Sequence, residues 1–241
     1  MPGGFSKQGG DMGRYDIVLW DVDQTLLDFK RSEDYAVRHC FRLFGLEADD
    51  GIVARYSEIN EGYWRKIETG AMGKKEALQG RFADLFEEIG VKGVDAAEFQ
   101  EAYADVLGSV YYFLDDSYKV VEGLRGTCRQ YAVTNGVSRT QRKKLELSGL
   151  AGLMDGIFVS EELGAPKPQE EFFARCFARI PDFCKNRAVI VGDSLTSDIL
   201  GGNRAGIAVC WYNPKGVKKS LEVKIDYEIR NLHEVRRVLG A

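Results

Sequence analysis

Five short apolar segments recur along the chain, and each of them ends in small or polar residues. The segments are YDIVLWD (15–21), QYAVTNG (130–136), GIFVS (156–160), RAVIVGD (187–193) and GIAVCWY (206–212). They are rich in valine, isoleucine and aromatic residues and show no polar alternation, which is typical of parallel strands covered on both faces. Helical patterns precede or separate the last four, at 118–129, 138–150, 169–180 and 197–207. This alternation predicts an α/β fold built on a doubly wound parallel sheet.

Residues 30–113 interrupt the alternation because they contain no comparable strand. Their apolar residues fall at helical spacing with polar faces between them, which predicts about four helices. The segment leaves after the first strand and returns before the second, so we expect an inserted α-helical cap domain above the carboxyl ends of the strands. The predicted domains are a flexible N-terminal tail (1–13), an α/β core (14–29 and 114–241) and the cap (30–113).

Composition narrows the class of protein without identifying it. Of the 241 residues 44% are hydrophobic and the net charge is −4, which is ordinary for a globular protein and does not favour a nucleic-acid polymer as partner. Two basic clusters, at 142–144 and 218–219, lie amid polar residues and are interpreted as solvated surface. No apolar run approaches the ~20 residues of a membrane-spanning helix, and the N-terminus lacks the apolar core of a signal peptide. We therefore expect a cytoplasmic protein with no membrane partner.

Cysteine and histidine chemistry is not supported by the sequence. The five cysteines are odd in number and show no C-x-x-C spacing, so neither a disulfide framework nor a zinc site is indicated. The two histidines, His39 and His233, belong to no recognisable catalytic or metal-binding pattern. Any catalysis must therefore use carboxylates.

Polar residues end the predicted strands, and in an open parallel sheet such residues converge on the ligand site. The candidates are Asp21 and Asp23 after the first strand, Thr134, Asn135 and Gly136 after the second, Lys167 after the third, and Asp193 and Asp198 after the fourth. Four carboxylates in one place would repel one another unless a cation neutralised them, and hard oxygen ligands favour Mg²⁺. The lysine and the threonine suit an anionic, tetrahedral ligand, for which phosphate is the natural candidate.

Each of these residues, taken singly, also has a purely structural interpretation. Asp21 or Asp23 could be a turn residue or a helix cap, residues 134–136 an ordinary strand-to-helix turn, and Asp198 the cap of the following helix. Lys167 could be one more solvated lysine. Only the joint occurrence of these residues at successive strand ends favours a site.

The motifs DVDQT, VTNG, the lysine of GAPKP and GDSLTSD, in this order and with a helical insert after the first, resemble those of the haloacid dehalogenase-like hydrolase superfamily. The resemblance implies that Asp21 attacks phosphorus to form an aspartyl-phosphate and that Asp23 transfers the proton. It also implies that Mg²⁺ is held by Asp21, the backbone carbonyl of Asp23 and Asp193, with Asp198 binding directly or through water. The residues implied to form the phosphate pocket are Thr134, Asn135, Gly136 and Lys167.

The surroundings of the motifs, such as DVDQTLLDF and VTNGVSRTQRKKLELSGL, are similar to those of bacterial pyrimidine 5′-nucleotidases. N-acylneuraminate phosphatase shares much of the pattern. Haloacid dehalogenases lack an acid at the place of Asp23, so the resemblance implies a phosphatase. We expect Mg²⁺-dependent hydrolysis of a small phosphomonoester, most simply a nucleoside 5′-monophosphate, and a sugar phosphate is the alternative substrate.

Two further expectations concern the cap and the partners. Trp64 and Arg81 are candidate contacts for the leaving group, although an aromatic residue at helical spacing is more often part of the cap core and the arginine could instead pair with nearby acidic residues. The oligomeric state is open, with a monomer preferred. A non-catalytic phosphate-binding protein on the same fold is the rival from another class, and the joint presence of Asp21, Asp23, Lys167 and Asp193 argues against it.

Overall fold

The sheet has six strands that pair only in parallel in this computed structural model, which describes residues 14–240. The predicted tail at residues 1–13 lies outside the described residues. The strands are β1 (Ile17–Trp20), β2 (Arg129–Thr134), β3 (Gly156–Val159), β4 (Ala188–Gly192), β5 (Ala208–Tyr212) and β6 (Tyr227–Ile229). Their order across the sheet is β3-β2-β1-β4-β5-β6. All five predicted segments form strands, and the doubly wound parallel fold is confirmed.

Strand β6 is absent from the sequence prediction. Only three residues pair with β5, and the burial along them changes from half-buried Tyr227 through exposed Glu228 to buried Ile229. A segment this short at a sheet edge has too few apolar positions to stand out from a loop.

Helices cover both faces of the sheet and form the whole of the insert. The insert contains α1 (Phe29–Leu43), α2 (Asp50–Glu68), α3 (Lys74–Ile89) and α4 (Ala96–Leu107). The remaining helices are α5 (Ser117–Glu122), α6 (Ser138–Leu147), α7 (Ser160–Leu163), α8 (Glu170–Phe177), α9 (Leu200–Ala205) and α10 (Val235–Leu239). Within residues 14–240, no helix has both the length and the apolar character needed to cross a membrane.

Strand β1 shows why the predicted strands are apolar throughout. Val18 and Trp20 pack into the hydrophobic cluster on one face of the sheet, and Ile17 and Leu19 pack into the cluster on the other face. All four side chains are fully buried. Because successive side chains of a strand point to opposite faces, a strand covered on both sides has no position for a polar residue until it ends.

The four cap helices enclose an aromatic core and, beside it, a chain of buried polar groups. Arg81 on α3 is 3% exposed and donates to Asn60 on α2 at 2.6 Å and to Gln100 on α4 at 2.7 Å. Asn60 in turn donates to Glu33 on α1 at 2.7 Å, so the chain crosses all four helices. Arg81 therefore belongs to the cap interior, and the hypothesis that it contacts the leaving group is wrong.

The two segments that connect cap and core run side by side. Leu27 and Phe113 form an antiparallel bridge, the Asp28 amide donates to the Tyr112 carbonyl at 2.8 Å, and the Leu114 amide donates to the Leu26 carbonyl at 3.1 Å. The predicted boundaries of core and cap fall at this paired connection, and they remain a prediction.

Candidate active site

Asp21 lies directly beyond β1 and is fixed at both carboxylate oxygens. Its amide continues the sheet by donating to the Val191 carbonyl at 2.9 Å, and the Val22 carbonyl then accepts from the Leu26 and Leu27 amides. This tight loop brings Thr25 back toward the strand end, where its Oγ1 donates to Asp21 Oδ2 at 2.9 Å. The sequence DVDQT is therefore a folded loop that orients a buried carboxylate.

Lys167 is the cation of the site and is 1% exposed. Its Nζ donates to Asp21 Oδ1 at 2.7 Å, to Asp198 Oδ1 at 2.7 Å and to the Val133 carbonyl at 2.9 Å. These three acceptors use all three protons of the ammonium group. The interpretation of Lys167 as a solvated lysine is excluded by this burial.

Asn135 holds the backbone of Lys167 in place. Its Nδ2 donates to the Lys167 carbonyl at 2.9 Å, and its Oδ1 accepts from the Lys167 amide at 2.8 Å. Both ends of the side-chain amide are therefore occupied by one residue of a neighbouring loop. The predicted role of Asn135 in holding phosphate is untested, and its side chain contacts the lysine backbone in this structure.

Two carboxylates arrive from the loop that follows β4. Asp198 is 1% exposed, and its Oδ1 and Oδ2 accept from Lys167 and from the Ser194 amide at 3.1 Å. A Cβ atom on Gly192 would overlap the Asp198 carboxyl group, which explains glycine at the end of this strand. Half-buried Asp193 stands beside them, with its backbone carbonyl accepting from the Trp211 indole at 2.8 Å.

One carboxylate oxygen from each of Asp21, Asp193 and Asp198 lies within 4.8 Å of the other two. Burial and the negative charge of Asp198 raise the pKa of Asp21 to about 7, and nearby Lys167 only partly opposes this. Burial, followed by the charges of Asp21 and Asp198, raises the pKa of Asp193 well above its ordinary value. Burial alone would lower the pKa of Lys167, but the adjacent carboxylates outweigh it and raise that pKa. The cluster therefore carries more negative charge than its lysine neutralises.

Asp23 contacts a different set of residues, all on α6. Its Oδ1 accepts from Lys144 Nζ at 3.0 Å, and its Oδ2 accepts from Gln141 Nε2. Lys144 is 0% exposed, so the prediction that residues 142–144 form a solvated basic surface is wrong for this residue. Arg142 and Lys143 are exposed, as predicted.

The other predicted phosphate-holding groups lie at the end of β2. Thr134 is buried, and its Oγ1 accepts from the Gly136 amide at 3.1 Å. Both residues border the same cavity of about 200 Å³ as Asp21, Lys167 and Asp193. The fold thus brings every predicted site residue to one cavity at the carboxyl ends of the strands.

The cap contacts this cavity and the loops around it. Of the cap residues involved, the sequence analysis singled out Trp64 alone. Trp64 lines the cavity and also a contiguous chamber of about 500 Å³, which shares Gln24, Phe29 and Asp193 with it. Lys74 on α3 donates to the Asn135 carbonyl at 2.7 Å, the Gly136 carbonyl at 3.0 Å and Ser160 Oγ at 3.1 Å. Burial lowers the pKa of Lys74 to about 8.

A second hydrogen bond joins the cap to the loop after β4, where Glu68 lines the cavity. Glu68, at the end of α2, accepts from Thr196 Oγ1 at 3.0 Å, and Thr196 follows β4 in the core. Burial raises the pKa of Glu68. The cap is therefore bonded to the loops after β2 and after β4, on both sides of Asp21.

The family model for haloacid dehalogenase-like hydrolases matches residues 15–206, which include every motif of the cavity. The chain belongs to the haloacid dehalogenase-like hydrolases. The family resemblance read from the four motifs is thereby confirmed.

Relatives of this hydrolase share most of its length. It is 40% identical to the HAD-hydrolase YfnB of Bacillus subtilis over 95% of this chain and 97% of YfnB. A crystal structure of YfnB bound to magnesium superposes with a TM-score of 0.89 and covers 95% of this chain and 100% of that one. The pyrimidine 5′-nucleotidase PynA of Streptococcus pneumoniae is 31% identical over 92% of this chain and 93% of PynA. Similarity to the L-2-haloacid dehalogenase of Xanthobacter autotrophicus, at 14% identity and a TM-score of 0.73, extends to the fold alone.

The side chains of this hydrolase fit a hard divalent cation. Asp21 and Asp193 offer carboxylate oxygens from neighbouring strand ends, and their raised pKa values mark an excess of negative charge that a cation would relieve. Asp198 offers a carboxylate oxygen to the same position, and its two oxygens accept from Lys167 and from the Ser194 amide, just as the Asp21 oxygens accept from Lys167 and Thr25.

Proposed function

We propose that this chain is a Mg²⁺-dependent phosphomonoester hydrolase that works through an aspartyl-phosphate on Asp21. The observation that supports the proposal most strongly is the joint placement of Asp21, Asp193 and Asp198 around buried Lys167 at the strand ends. A buried carboxylate fixed by a lysine and a threonine suits a nucleophile that must stay aligned, because attack requires one orientation of the reacting oxygen.

Asp21 attacks phosphorus in the first step, forming a bond between its carboxylate oxygen and phosphorus while the bond from phosphorus to the leaving oxygen breaks. Asp23 gives its proton to that leaving oxygen. Water then attacks phosphorus, Asp23 takes a proton from it, and phosphate leaves with Asp21 regenerated. Lys167 and Thr134 hold the phosphoryl oxygens through both steps, and Lys167 does so by redirecting one of the three hydrogen bonds that it makes in the free protein.

The cation site of this proposal uses Asp21, Asp193 and the Asp23 backbone carbonyl, with Asp198 binding directly or through water. Bound there, Mg²⁺ would neutralise negative charge of the carboxylates and of the phosphoryl group. The carboxylates around Lys167 carry negative charge that the lysine does not neutralise, and this excess suits them to binding Mg²⁺.

A nucleoside 5′-monophosphate, preferably with a pyrimidine base, is the substrate that we propose. PynA and the pyrimidine 5′-nucleotidase YjjG of Escherichia coli, which is 26% identical over 94% of this chain, support this class. The chamber of about 500 Å³ beside the cavity has room for a nucleoside, and the Trp64 ring borders both spaces. A sugar phosphate is the competing substrate, since N-acylneuraminate-9-phosphatases match about two fifths of the chain.

A substrate panel tests the proposal. The panel compares dUMP, dTMP, purine monophosphates, sugar phosphates and p-nitrophenyl phosphate, each with MgCl₂ and with EDTA. Fastest Mg²⁺-dependent release of phosphate from the pyrimidine nucleotides is the expected result. Preference for a sugar phosphate would overturn the nucleotidase assignment, and no hydrolysis of any compound under either condition would overturn the phosphatase assignment.

A further inference from the structure

The acid–base residue of the proposed reaction is held at both oxygens by one helix. Lys144 and Gln141 are three residues apart on α6, so their side chains leave the same face of the helix, and each reaches one oxygen of Asp23. Within residues 14–240, no other side chain hydrogen-bonds the Asp23 carboxylate. The contact is thus a two-point clamp between the β1 loop and α6.

The lysine of this clamp is shielded from solvent. Lys144 is fully buried although it is a lysine, and Asp23 is its ion-pair partner. The ammonium group also lies 5.5 Å from the centre of the Phe29 ring, at the start of α1. A buried ammonium is expensive unless a carboxylate compensates it, so this arrangement is maintained against a desolvation cost.

Gly136 gives a second, independent sign that the clamp shapes its surroundings. A Cβ atom at position 136 would overlap Nε2, Cγ and Cδ of Gln141. The Gln141 side chain therefore passes over the Gly136 backbone on its way to Asp23. Its Oε1 is buried and has no hydrogen-bond partner among the described residues, so the Nε2 contact with Asp23 is what explains the placement of this amide.

We propose that Lys144 and Gln141 are positioning residues that hold the Asp23 carboxyl group in line with the leaving oxygen. This inference rests on the proposed function. Each carboxylate oxygen has two lone-pair sites, and the clamp uses one on each, which leaves the others for proton transfer. The Asp23 side chain is 25% exposed and borders the cavity, so its free side faces the substrate space.

The physical benefit is orientation of the proton donor. An unrestrained aspartate in a quarter-exposed position samples several rotamers, and only some of them direct a proton to the leaving oxygen. The clamp fixes one of them before substrate binds. It does not touch Asp21, so its loss should impair protonation of the leaving group and leave attack on phosphorus intact.

Leaving groups of different basicity separate these two effects. Acetyl phosphate releases acetate, which needs no proton, whereas a nucleotide releases an alkoxide that does. The parameter to compare is kcat/KM, because it reports only steps up to departure of the leaving group and is insensitive to the later attack of water. Variants Lys144→Met and Gln141→Leu are compared with Lys143→Met, which removes an exposed lysine of the same helix that bonds Ser109 and not Asp23.

We expect Lys144→Met and Gln141→Leu to lower kcat/KM for dUMP by about 10- to 100-fold, a part of the 10²–10⁴ that general acid catalysis supplies, and to leave acetyl phosphate within about threefold. Lys143→Met should change neither substrate. In an Asp23→Asn background, Lys144→Met should cause no further loss, because it acts only through Asp23.

Equal losses for both substrates, or unchanged dUMP hydrolysis, would overturn the positioning role. Thermal unfolding of each variant identifies any that fails to fold, and the conclusion then rests on the other clamp variant. If wild-type protein hydrolyses neither substrate, the proposed function has failed. If it hydrolyses both and the variants lose activity without regard to the leaving group, only the inference about the clamp has failed.

Discussion

Asparagine in place of Asp193 should make the protein more stable when no divalent cation is present. Three carboxylates lie within 4.8 Å of one another and share one buried lysine. At that separation and an effective dielectric constant near 20, one pair of unit charges interacts by about 3 kcal/mol. The Asp193 carboxylate is repelled by Asp21 and by Asp198 and is attracted by Lys167. The net repulsion is therefore about the energy of one such pair. Because water and salt weaken it, we expect Asp193→Asn to raise the free energy of unfolding by about 1–3 kcal/mol.

Urea unfolding at pH 8, in EDTA and in MgCl₂, measures this effect. Wild-type protein should gain stability in MgCl₂ because a ligand that binds only the folded state stabilises it. Asp193→Asn should be more stable than wild type in EDTA and should respond little to MgCl₂. Glu146→Gln, which removes one exposed carboxylate elsewhere, is the matched control and should behave as wild type. An Asp193→Asn protein that is less stable in EDTA, or that keeps the full MgCl₂ response, would refute the reasoning.

Three more predictions concern the supporting residues. Lys167→Met should destabilise the metal-free protein by about 3–5 kcal/mol in urea unfolding, because it leaves buried Asp21 and Asp198 without their cation, and adding Asp198→Asn should recover part of this loss. Asn135→Ala removes both hydrogen bonds to the Lys167 backbone and should cost about 1–3 kcal/mol with a fall in kcat; a rise in KM alone would indicate phosphate binding instead. Lys74 has an ordinary pKa of 10.5 that burial lowers to about 8, so the folded protein releases this proton first and the contribution of Lys74 to the free energy of unfolding should rise between pH 8 and 10.5. Lys74→Met should flatten that rise in urea unfolding curves taken across this range, and an unchanged slope would contradict the assignment.

The sheet and the positions of the acids were predictable because they follow from local rules. Strands covered on both faces must be apolar until they end, and the first polar residues then lie at the carboxyl edge. This reasoning located Asp21, Lys167 and Asp193 without any knowledge of distances. Their convergence follows from the parallel arrangement of β3, β2, β1 and β4, and the alternation of strands and helices already implies that the strands are parallel.

The supporting residues were not predictable because their partners are distant in sequence. Lys144 lies in a run of basic residues, and only the docking of α6 against the β1 loop, 121 residues away, decides that it is buried while Lys143 is exposed. Arg81 is a residue type that often contacts anionic ligands, but its guanidinium group bonds to the other cap helices. The i, i+3 spacing of Gln141 and Lys144 after the VTNG motif is the one local signal that could have indicated a shared target.

A covalent phosphoenzyme is the central claim, and mass spectrometry of acid-quenched protein tests it most directly. Asp23→Asn protein mixed with acetyl phosphate in MgCl₂ should accumulate the intermediate, because the residue that activates water in the second step is missing. We predict that the mass rises by one phosphoryl group and that peptide mapping places it on Asp21, whereas Asp21→Asn protein gains nothing. Phosphate on another residue, or turnover by Asp21→Asn at the wild-type rate, would contradict the proposed mechanism.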